Sequence, residues 1–206
     1  LDDIDFDYQL PMGSLPRLFR NNEIDFKKSE IGYLKADQKY VKHLKNNLNI
    51  SKPLVGISWA SFNCISSDKK SIELARLQKV LTKFNCDVIN LQYGDVKMRV
   101  EEFANDVNFK IINDHDVDVF NDIEGLAALI EICDLVVTIP NITIQLAGAL
   151  GKKAWAIVPF SPHYTWTEYR RTSLWFPNVG IFRQRKINDW AEVLVELENT
   201  ASKFFN

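Results

Sequence analysis

The decisive stretch runs from Asp134 to Lys152 and reads DLVVTIPNITIQLAGALGK. Its first part, Leu135 to Ile139, is a continuous apolar run typical of a buried strand, and Thr143 to Leu150 predicts a helix of small residues. Free backbone N–H groups and the helix dipole at such a helix start favour a phosphate. Asn141 and Thr143 can hydrogen-bond a diphosphate, and Asn141 can equally be an ordinary helix cap, so both interpretations stay open.

The same alternation of strand and helix extends over most of the chain. Further apolar runs predict strands at Leu54 to Trp59, Asp87 to Leu91, Phe109 to Ile112, Ala154 to Val158 and Val179 to Phe182. Helices with one apolar face are predicted between them, one capped by Ser71 and another beginning at Asp122. Continuous apolar strands separated by helices favour an α/β fold, a Rossmann-like, doubly wound parallel sheet. Such sheets bind ligands at the carboxyl ends of their strands, which here are the loops after Trp59, Leu91 and Ile139.

The first fifty residues differ from the rest. Pro11 and Pro16 disfavour helix at the residues that precede them, whereas Asp37 to Asn49 predicts a helix with an apolar face and a lysine-rich face. We therefore expect residues 1–50 to form a linker and a peripheral helix, and residues 51–206 to form the ligand-binding domain.

The composition excludes several classes of protein. The chain has 206 residues, of which 46% are hydrophobic and 25% charged, and its net charge is −2. A basic stripe is missing, so nucleic acid is not expected as a partner. No apolar run approaches the roughly 18–20 residues that span a bilayer, so no transmembrane segment is predicted. Cys64, Cys86 and Cys133 lie far apart without metal spacing, which favours reduced thiols in a cytoplasmic protein.

Motifs for other chemistries are missing or weak. The sequence has no G-x-G-x-x-G fingerprint, no G-x-S-x-G elbow and no Walker A loop. The acidic run from Asp114 to Asp118 suggests a metal site, but no further ligands are placed by the sequence, so a surface loop is favoured. His163 follows a strand in an aromatic-rich loop, where packing within the loop is favoured over a place in a sugar pocket.

Two further loops carry weaker signals. Lys69 and Lys70 precede the helix predicted at Ser71, where they can meet phosphate oxygens or be solvated surface residues. Tyr93 follows the strand that ends at Leu91 and can stack on a base, although an aromatic residue there is more often packing.

Several ordered segments resemble the donor-binding domain of GT-B glycosyltransferases. The matching segments are Ser14 to Phe19, Val55 to Ala60, Asp68 to Leu74, Leu91 to Gly94, Gly125 to Ile130, Cys133 to Thr138, Leu146 to Lys152, Trp175 to Pro177, Phe182 to Gln184, and Asp189 with Trp190. The resemblance covers most of the chain. It is closest to the bacterial enzymes attached to tetratricopeptide repeats, which are related to the lipopolysaccharide heptosyltransferases and, more distantly, to O-GlcNAc transferase.

The resemblance implies a nucleotide-sugar site in residues 51–206, the C-terminal half of a GT-B fold. By residue type and position, Lys70, Asn141, Thr143 and Gln145 are expected to bind the donor diphosphate. Gln92 and Tyr93 are expected to border the base or ribose. The donor is a nucleoside diphosphate sugar and acts as a substrate, so no cofactor and no metal are expected.

The implied reaction is sugar transfer with inversion at the anomeric carbon. The acceptor is a glycan or a protein, and the catalytic base is expected on an N-terminal acceptor domain, which together with a tetratricopeptide domain would belong to a longer parent chain. Related sequences usually have a histidine where this one has Gln145, and glutamine can donate a hydrogen bond but carries no charge. Pro140 also stands where many relatives have an acidic or small polar residue. Two alternatives therefore stay open: a non-catalytic nucleotide-binding or interaction module, and a structural domain that has lost the site.

Overall fold

The computed structural model of the chain describes residues 5–26, 31–62, 67–96, 98, 100–101, 111–113, 115–167 and 169–205. Its contacts group the chain into two compact units, Leu1–Glu30 and Ile31–Asn206. The helix predicted between Asp37 and Asn49 therefore belongs to the larger unit, whereas the inter-domain role of residues 1–50 stays a prediction.

The described residues of the smaller unit, 5–26, form three short helical segments. A 3₁₀-helix at Met12–Ser14 is followed by α1, Pro16–Phe19, and α2, Glu23–Phe26. Pro16 occupies the first turn of α1, where its missing N–H costs nothing. None of the residues in these segments is buried.

The larger unit is built on a six-stranded, fully parallel sheet. The strands are β1 Leu54–Ser58, β2 Asp87–Asn90, β3 Ile111–Ile112, β4 Leu135–Thr138, β5 Ala154–Val158 and β6 Val179–Arg183. Their order is β3-β2-β1-β4-β5-β6, and every neighbouring pair is parallel. This confirms the predicted α/β, doubly wound sheet, whose strand order reverses between β1 and β4. Phe109, where the third strand was predicted to begin, lies outside the described residues.

Helices cover both faces of this sheet. They are α3 Gln38–Asn47, α4 Ser67–Lys70, α5 Leu74–Leu81, α6 Ile123–Ile132, α7 Ile142–Ala149 and α8 Ala191–Phe205. Apolar residues of α3, α6 and α7 fill one core layer, and those of α5 and α8 fill the other. No helix of the described part is both long and apolar enough to cross a membrane.

A half-buried hydrogen bond joins helix α3 to the residue that caps α6. Val41 and Leu44 of α3 are buried in the core, and the Tyr40 hydroxyl donates a 3.0 Å hydrogen bond to the Asp122 carboxylate. Asp122 in turn caps α6 by accepting from the Gly125 N–H at 2.8 Å. Desolvation and this bond raise the pKa of Tyr40 above its usual value, so the hydroxyl stays a donor to the cap.

The two cysteines that the structure describes are free thiols. Burial is the main cause that raises the pKa of Cys86, to about 11. Full burial also raises the pKa of Cys133. Both thiols are therefore protonated and unreactive at neutral pH, as expected for reduced structural cysteines. Cys64 lies outside the described residues.

Two glycines bring the chain after Glu30 against the end of α7. Gly32 and Gly151 both have left-handed backbone, with φ of 71° and 76°. A Cβ on Gly151 would lie 2.9 Å from the Gly32 Cα. The Leu34 N–H donates to the Ala149 carbonyl at 3.0 Å in the same region. Only residues without a side chain permit this backbone contact.

Gly151→Ala is therefore expected to lower the free energy of unfolding by about 1–3 kcal/mol, because it combines an unfavourable φ with a contact against backbone. Urea denaturation of the variant measures the loss. Gly13→Ala is the control, since a Cβ there meets nothing within 4 Å. Equal stability of the two variants would contradict the close approach.

Candidate nucleotide-binding site

Buried polar residues gather at the carboxyl edge of the sheet. Eight polar residues of the described chain are buried, and all except Ser173 lie at or just after the ends of strands: Ser58, Ser61, Asn90, Gln92, Thr138, Thr143 and Gln184. Buried polar groups cost free energy unless they are hydrogen-bonded. Their concentration at one edge of the sheet therefore marks this edge as the candidate site, where the strand order predicted it.

A hydrogen-bond chain crosses the point where the strand order reverses. The Asn141 amide donates to the Ser58 hydroxyl at 2.7 Å, and Ser58 donates to the Gln92 carbonyl oxygen at 3.1 Å. These residues follow or end β4, β1 and β2. Their side chains thus join three strand ends into one unit.

Asn141 is the N-cap of α7, as one interpretation of the sequence held. Its Oδ1 accepts from the Thr143 N–H at 3.1 Å and from the Thr138 hydroxyl at 3.2 Å. The side chain is half-buried. Capping does not exclude the diphosphate contact predicted for Asn141, which stays a prediction.

Thr143 is buried, only 1% exposed, in the first turn of α7. Its hydroxyl oxygen is one of the buried side-chain atoms of the described residues that have no hydrogen-bond partner. Gln145 follows two residues further along the helix and is half-buried. The Thr143 hydroxyl is therefore an unpartnered polar group at the N-terminus of α7, where the helix dipole favours an anion.

Both polar atoms of the Gln92 side chain form hydrogen bonds within the protein. Its Oε1 accepts from Ser58 and from the Trp59 and Ala60 N–H groups at 2.8 and 2.7 Å. Its Nε2 donates to the carbonyls of Ala60 at 3.1 Å and Tyr93 at 2.9 Å. Gln92 therefore shapes the loop after β1. Its predicted contact with a base or ribose stays a prediction, and in this arrangement the side chain has no donor left for it.

Lys70 is held close to the same strand end. It closes α4 and is half-buried. The next residues bind the loop after β1, because the Ser71 hydroxyl accepts from the Ser61 N–H at 3.1 Å and the Ile72 N–H donates to the Trp59 carbonyl at 2.9 Å. The prediction that Ser71 caps a helix is wrong: α5 begins at Leu74, and Ser71 binds the neighbouring loop instead.

Tyr93 belongs to a small aromatic cluster on the β2 side of the site. Its ring lies 5.5 Å from Phe62 and 5.9 Å from Phe120, and its hydroxyl accepts from the Phe62 N–H at 3.1 Å. Phe62 and Phe120 are 45% and 71% exposed. Flat apolar rings are thus accessible beside the end of β2.

The remaining histidines and acids form no metal centre that the described residues reveal. Within the ranges that the structure describes, no group of three His, Cys, Asp or Glu side chains is placed to hold a metal ion. His115 Nε2 lies 2.8 Å from the Asn90 carbonyl, and Asp114 lies outside the described residues. His163 is exposed and packs against Tyr164 with ring centroids 4.0 Å apart.

Sequence reasoning missed Ser58 and Gln184 as parts of this edge. Ser58 ends an apolar strand and Gln184 follows β6. A polar residue that directly ends a continuous apolar run was the available signal for Ser58. Gln184 stood inside a segment that carried the family resemblance, without a role.

Comparison with known proteins supports the fold. No family model matches the chain. Protein FlbA of Caulobacter vibrioides is 28% identical over 189 residues, which are 90% of this chain and 31% of FlbA. A glycosyl transferase family 9 protein from Veillonella parvula aligns with a TM-score of 0.55 at 11% identity, over 81% of this chain and 47% of that one. ADP-heptose lipopolysaccharide heptosyltransferase II of E. coli aligns with a TM-score of 0.56 at 15% identity, over 82% and 52%.

The chain thus spans about a third of FlbA and about half of each of these two solved structures. These likenesses show a Rossmann-like α/β fold of the kind found in GT-B glycosyltransferases, which confirms the predicted fold class. The tetratricopeptide repeats and the relation to O-GlcNAc transferase stay predictions.

The hydrogen bonds of Gln92 at the ends of β1 and β2 stabilise the fold. Gln92→Leu removes the acceptor of two buried backbone N–H groups, so we expect the free energy of unfolding to fall by roughly 3 kcal/mol or more. Gln145→Leu, a change of the same type at a half-buried helix position, should cost about 1 kcal/mol or less. Urea denaturation measures the free energy of unfolding of both variants, with Gln145→Leu as the control. A smaller loss for Gln92→Leu than for Gln145→Leu would contradict the role given to Gln92.

Proposed function

We propose that this chain is the donor-binding domain of a glycosyltransferase that uses a nucleoside diphosphate sugar without a metal ion and with inversion. The fold is the first support, because the solved structures it resembles are glycosyltransferases. Likeness of fold alone does not fix a function, so the proposal rests mainly on the site.

The single observation that carries it is the start of α7. This helix begins at the carboxyl end of β4, beside the reversal of strand order, and has the unpartnered Thr143 hydroxyl in its first turn. Helix N-termini at such points bind phosphate groups through free N–H groups and the dipole. A diphosphate that accepts from Thr143 gives this hydroxyl the partner it has not found within the described protein.

Lys70 and Gln145 complete the proposed diphosphate site. The segment after Lys70 is bonded to the loop that follows β1, which supports a place for Lys70 near the reversal point. Lys70 supplies the positive charge, while the Gln145 amide contributes a neutral donor. On the β2 side, Tyr93 with Phe62 and Phe120 offers rings on which a nucleobase can stack.

The proposed reaction divides between this domain and the rest of the protein. An acceptor hydroxyl attacks the anomeric carbon, the bond from that carbon to the phosphate oxygen breaks, and the hydroxyl proton passes to a base on another domain. The negative charge that develops on the diphosphate is stabilised here by the N–H groups of α7 and by Lys70. The acceptor is a glycan or a protein.

A non-catalytic nucleotide-binding module is the second candidate, favoured by one residue. Gln145 stands in the first half of α7, where sequences of the family that this chain resembles usually have a histidine, which can be charged. A site with less positive charge can still hold a nucleotide while giving less help to the departing group.

The first experiment is calorimetric titration of the protein with UDP, ADP, GDP and CDP, with an Asn141→Ala, Thr143→Ala double variant as comparison. Saturable binding of one nucleotide that the double variant loses supports the proposal. If none of the four binds to the full-length protein, the proposal is wrong.

Thr143→Val gives a sharper test, because it separates binding from folding. Replacing an unpaired buried hydroxyl by a methyl group is expected to leave the free energy of unfolding unchanged or to raise it by up to about 1 kcal/mol. Affinity for the nucleotide should fall roughly tenfold, the loss of one hydrogen bond.

Thr82→Val is the matched control for that test, since the Thr82 hydroxyl already donates to the Gln78 carbonyl at 2.9 Å, away from the site. Its nucleotide affinity should equal that of the wild type. A Thr143→Val protein that is destabilised, or that binds as tightly as the wild type, would contradict the role of this hydroxyl.

Gln145→His separates the two candidate functions. An imidazolium is charged below about pH 6.5, so the variant should bind the nucleotide more tightly at pH 6 than at pH 8 if this position faces the diphosphate. Rising transfer activity indicates an enzyme weakened at this position, and unchanged inactivity indicates a binding module. Gln145→Asn is the control without a titratable group.

A further inference from the structure

Two glutamines occupy corresponding places on either side of the reversal of strand order. Gln92 follows β2 and accepts from the N–H groups that follow its neighbour β1. Gln184 follows β6 and accepts from the Phe160 N–H, which follows its neighbour β5, at 3.1 Å. Each glutamine thus supplies a hydrogen-bond acceptor to the backbone just after the neighbouring strand.

The two side chains differ in their amide nitrogens. Nε2 of Gln92 donates to two backbone carbonyls. Nε2 of Gln184 is buried and has no hydrogen-bond partner among the described residues, although Gln184 is only 2% exposed. The bond from Phe160 fixes which end of the amide is the oxygen, so the unused atom is a donor. Native proteins rarely leave a buried donor unused without a reason.

A second unpartnered polar group lies in the loop between β5 and β6, which also contains Phe160. The Thr167 hydroxyl oxygen is also buried without a partner in the described part of the chain. Two hydrogen bonds join this loop to β6, since Nη2 of Arg183 donates to the carbonyls of Trp166 at 2.7 Å and Thr167 at 2.9 Å. Trp166 is itself buried. Two unpartnered polar groups thus lie at this end of the sheet, one directly after β6 and one in the segment that follows β5.

Along the sheet, the carboxyl end of β6 lies beyond the proposed diphosphate site at the end of β4. Strands β4, β5 and β6 are consecutive neighbours, each pair about 4.8 Å apart, so the end of β6 lies roughly 10 Å from the end of β4. The aromatic cluster with Tyr93 lies on the opposite side, past β1. In a nucleotide sugar, the base and the sugar extend from opposite ends of the diphosphate.

We propose that Gln184 and Thr167 form the subsite for the transferred sugar, with the Gln184 amide donating to one of its hydroxyl groups. The inference rests on the proposed function, because it needs a diphosphate at the start of α7. Thr167 can both donate to and accept from a second hydroxyl. The Phe160 ring, 47% exposed beside this end, offers a flat face to the apolar side of the sugar.

Because Nε2 of Gln184 is buried, the proposal requires that the segment beginning at Phe160 moves aside when the sugar binds. The subsite therefore selects for polyhydroxylated ligands, since only a group with an acceptor oxygen at this place satisfies the amide. A nucleoside diphosphate without sugar does not reach it.

The test compares the dissociation constants of a nucleoside diphosphate and of its sugar conjugate for the full-length protein. The nucleotide is the one of UDP, ADP, GDP and CDP that binds, and the conjugates are those with glucose, N-acetylglucosamine, mannose and heptose. Gln184→Glu keeps the acceptor for Phe160 and, in its ionised form, has no donor. Thr167→Val removes only the unpartnered hydroxyl. Thr165→Val is the matched control on the same loop, because the Thr165 hydroxyl already contacts His163 at 2.9 Å.

We expect Gln184→Glu and Thr167→Val to bind the nucleoside diphosphate like the wild type and the best conjugate about tenfold more weakly, while the control binds both normally. Unchanged affinity for the conjugate in both variants would overturn the subsite and leave the proposed function standing. A parallel loss for nucleotide and conjugate also overturns it, since the residues then act on the fold. If the wild type binds no nucleotide, the proposed function fails first and the subsite fails with it.

Discussion

The site depends on the hydrogen-bond chain from Asn141 through Ser58 to Gln92. The main-chain ladders of a parallel sheet end where the strands end, and the N–H groups just beyond them need other partners. Side-chain amides supply these partners here, reaching from one strand end to the next. The bonds that seal the edge of the sheet are therefore the same bonds that fix the shape of the candidate site.

At the carboxyl edge of the sheet, some buried polar side chains have all their hydrogen bonds and others do not. This difference separates residues that stabilise the fold from residues that can bind a ligand. Gln92 has each of its polar atoms in use, so it stabilises the fold and has nothing to offer a ligand in this arrangement. Thr143 and Gln184 are buried as deeply, and each has an unused polar atom among the described residues. Groups of this kind lower stability unless a ligand completes them, which is the usual relation between a binding site and the rest of its fold.

Much of the fold could be predicted because its signals are local. Continuous apolar runs and Asn141 before a helix of small residues were sufficient for the parallel sheet and for the start of α7. Contacts between distant segments were not accessible in this way. The pairing of Gln92 with Trp59 and Ala60 spans more than 30 residues, and Ser71 binds Ser61 of another loop rather than capping the helix that follows it. The unused amide of Gln184 appears only when every bond at the edge is counted.

The placement of the diphosphate decides where the rest of the proposed chemistry lies. Inversion requires the acceptor oxygen to approach the anomeric carbon from the side opposite the departing phosphate. If α7 and Lys70 hold that phosphate, the base that takes the acceptor proton faces this domain across the sugar. The proposed contribution of this domain is then the dipoles at the start of α7, which need no reorganisation during the reaction.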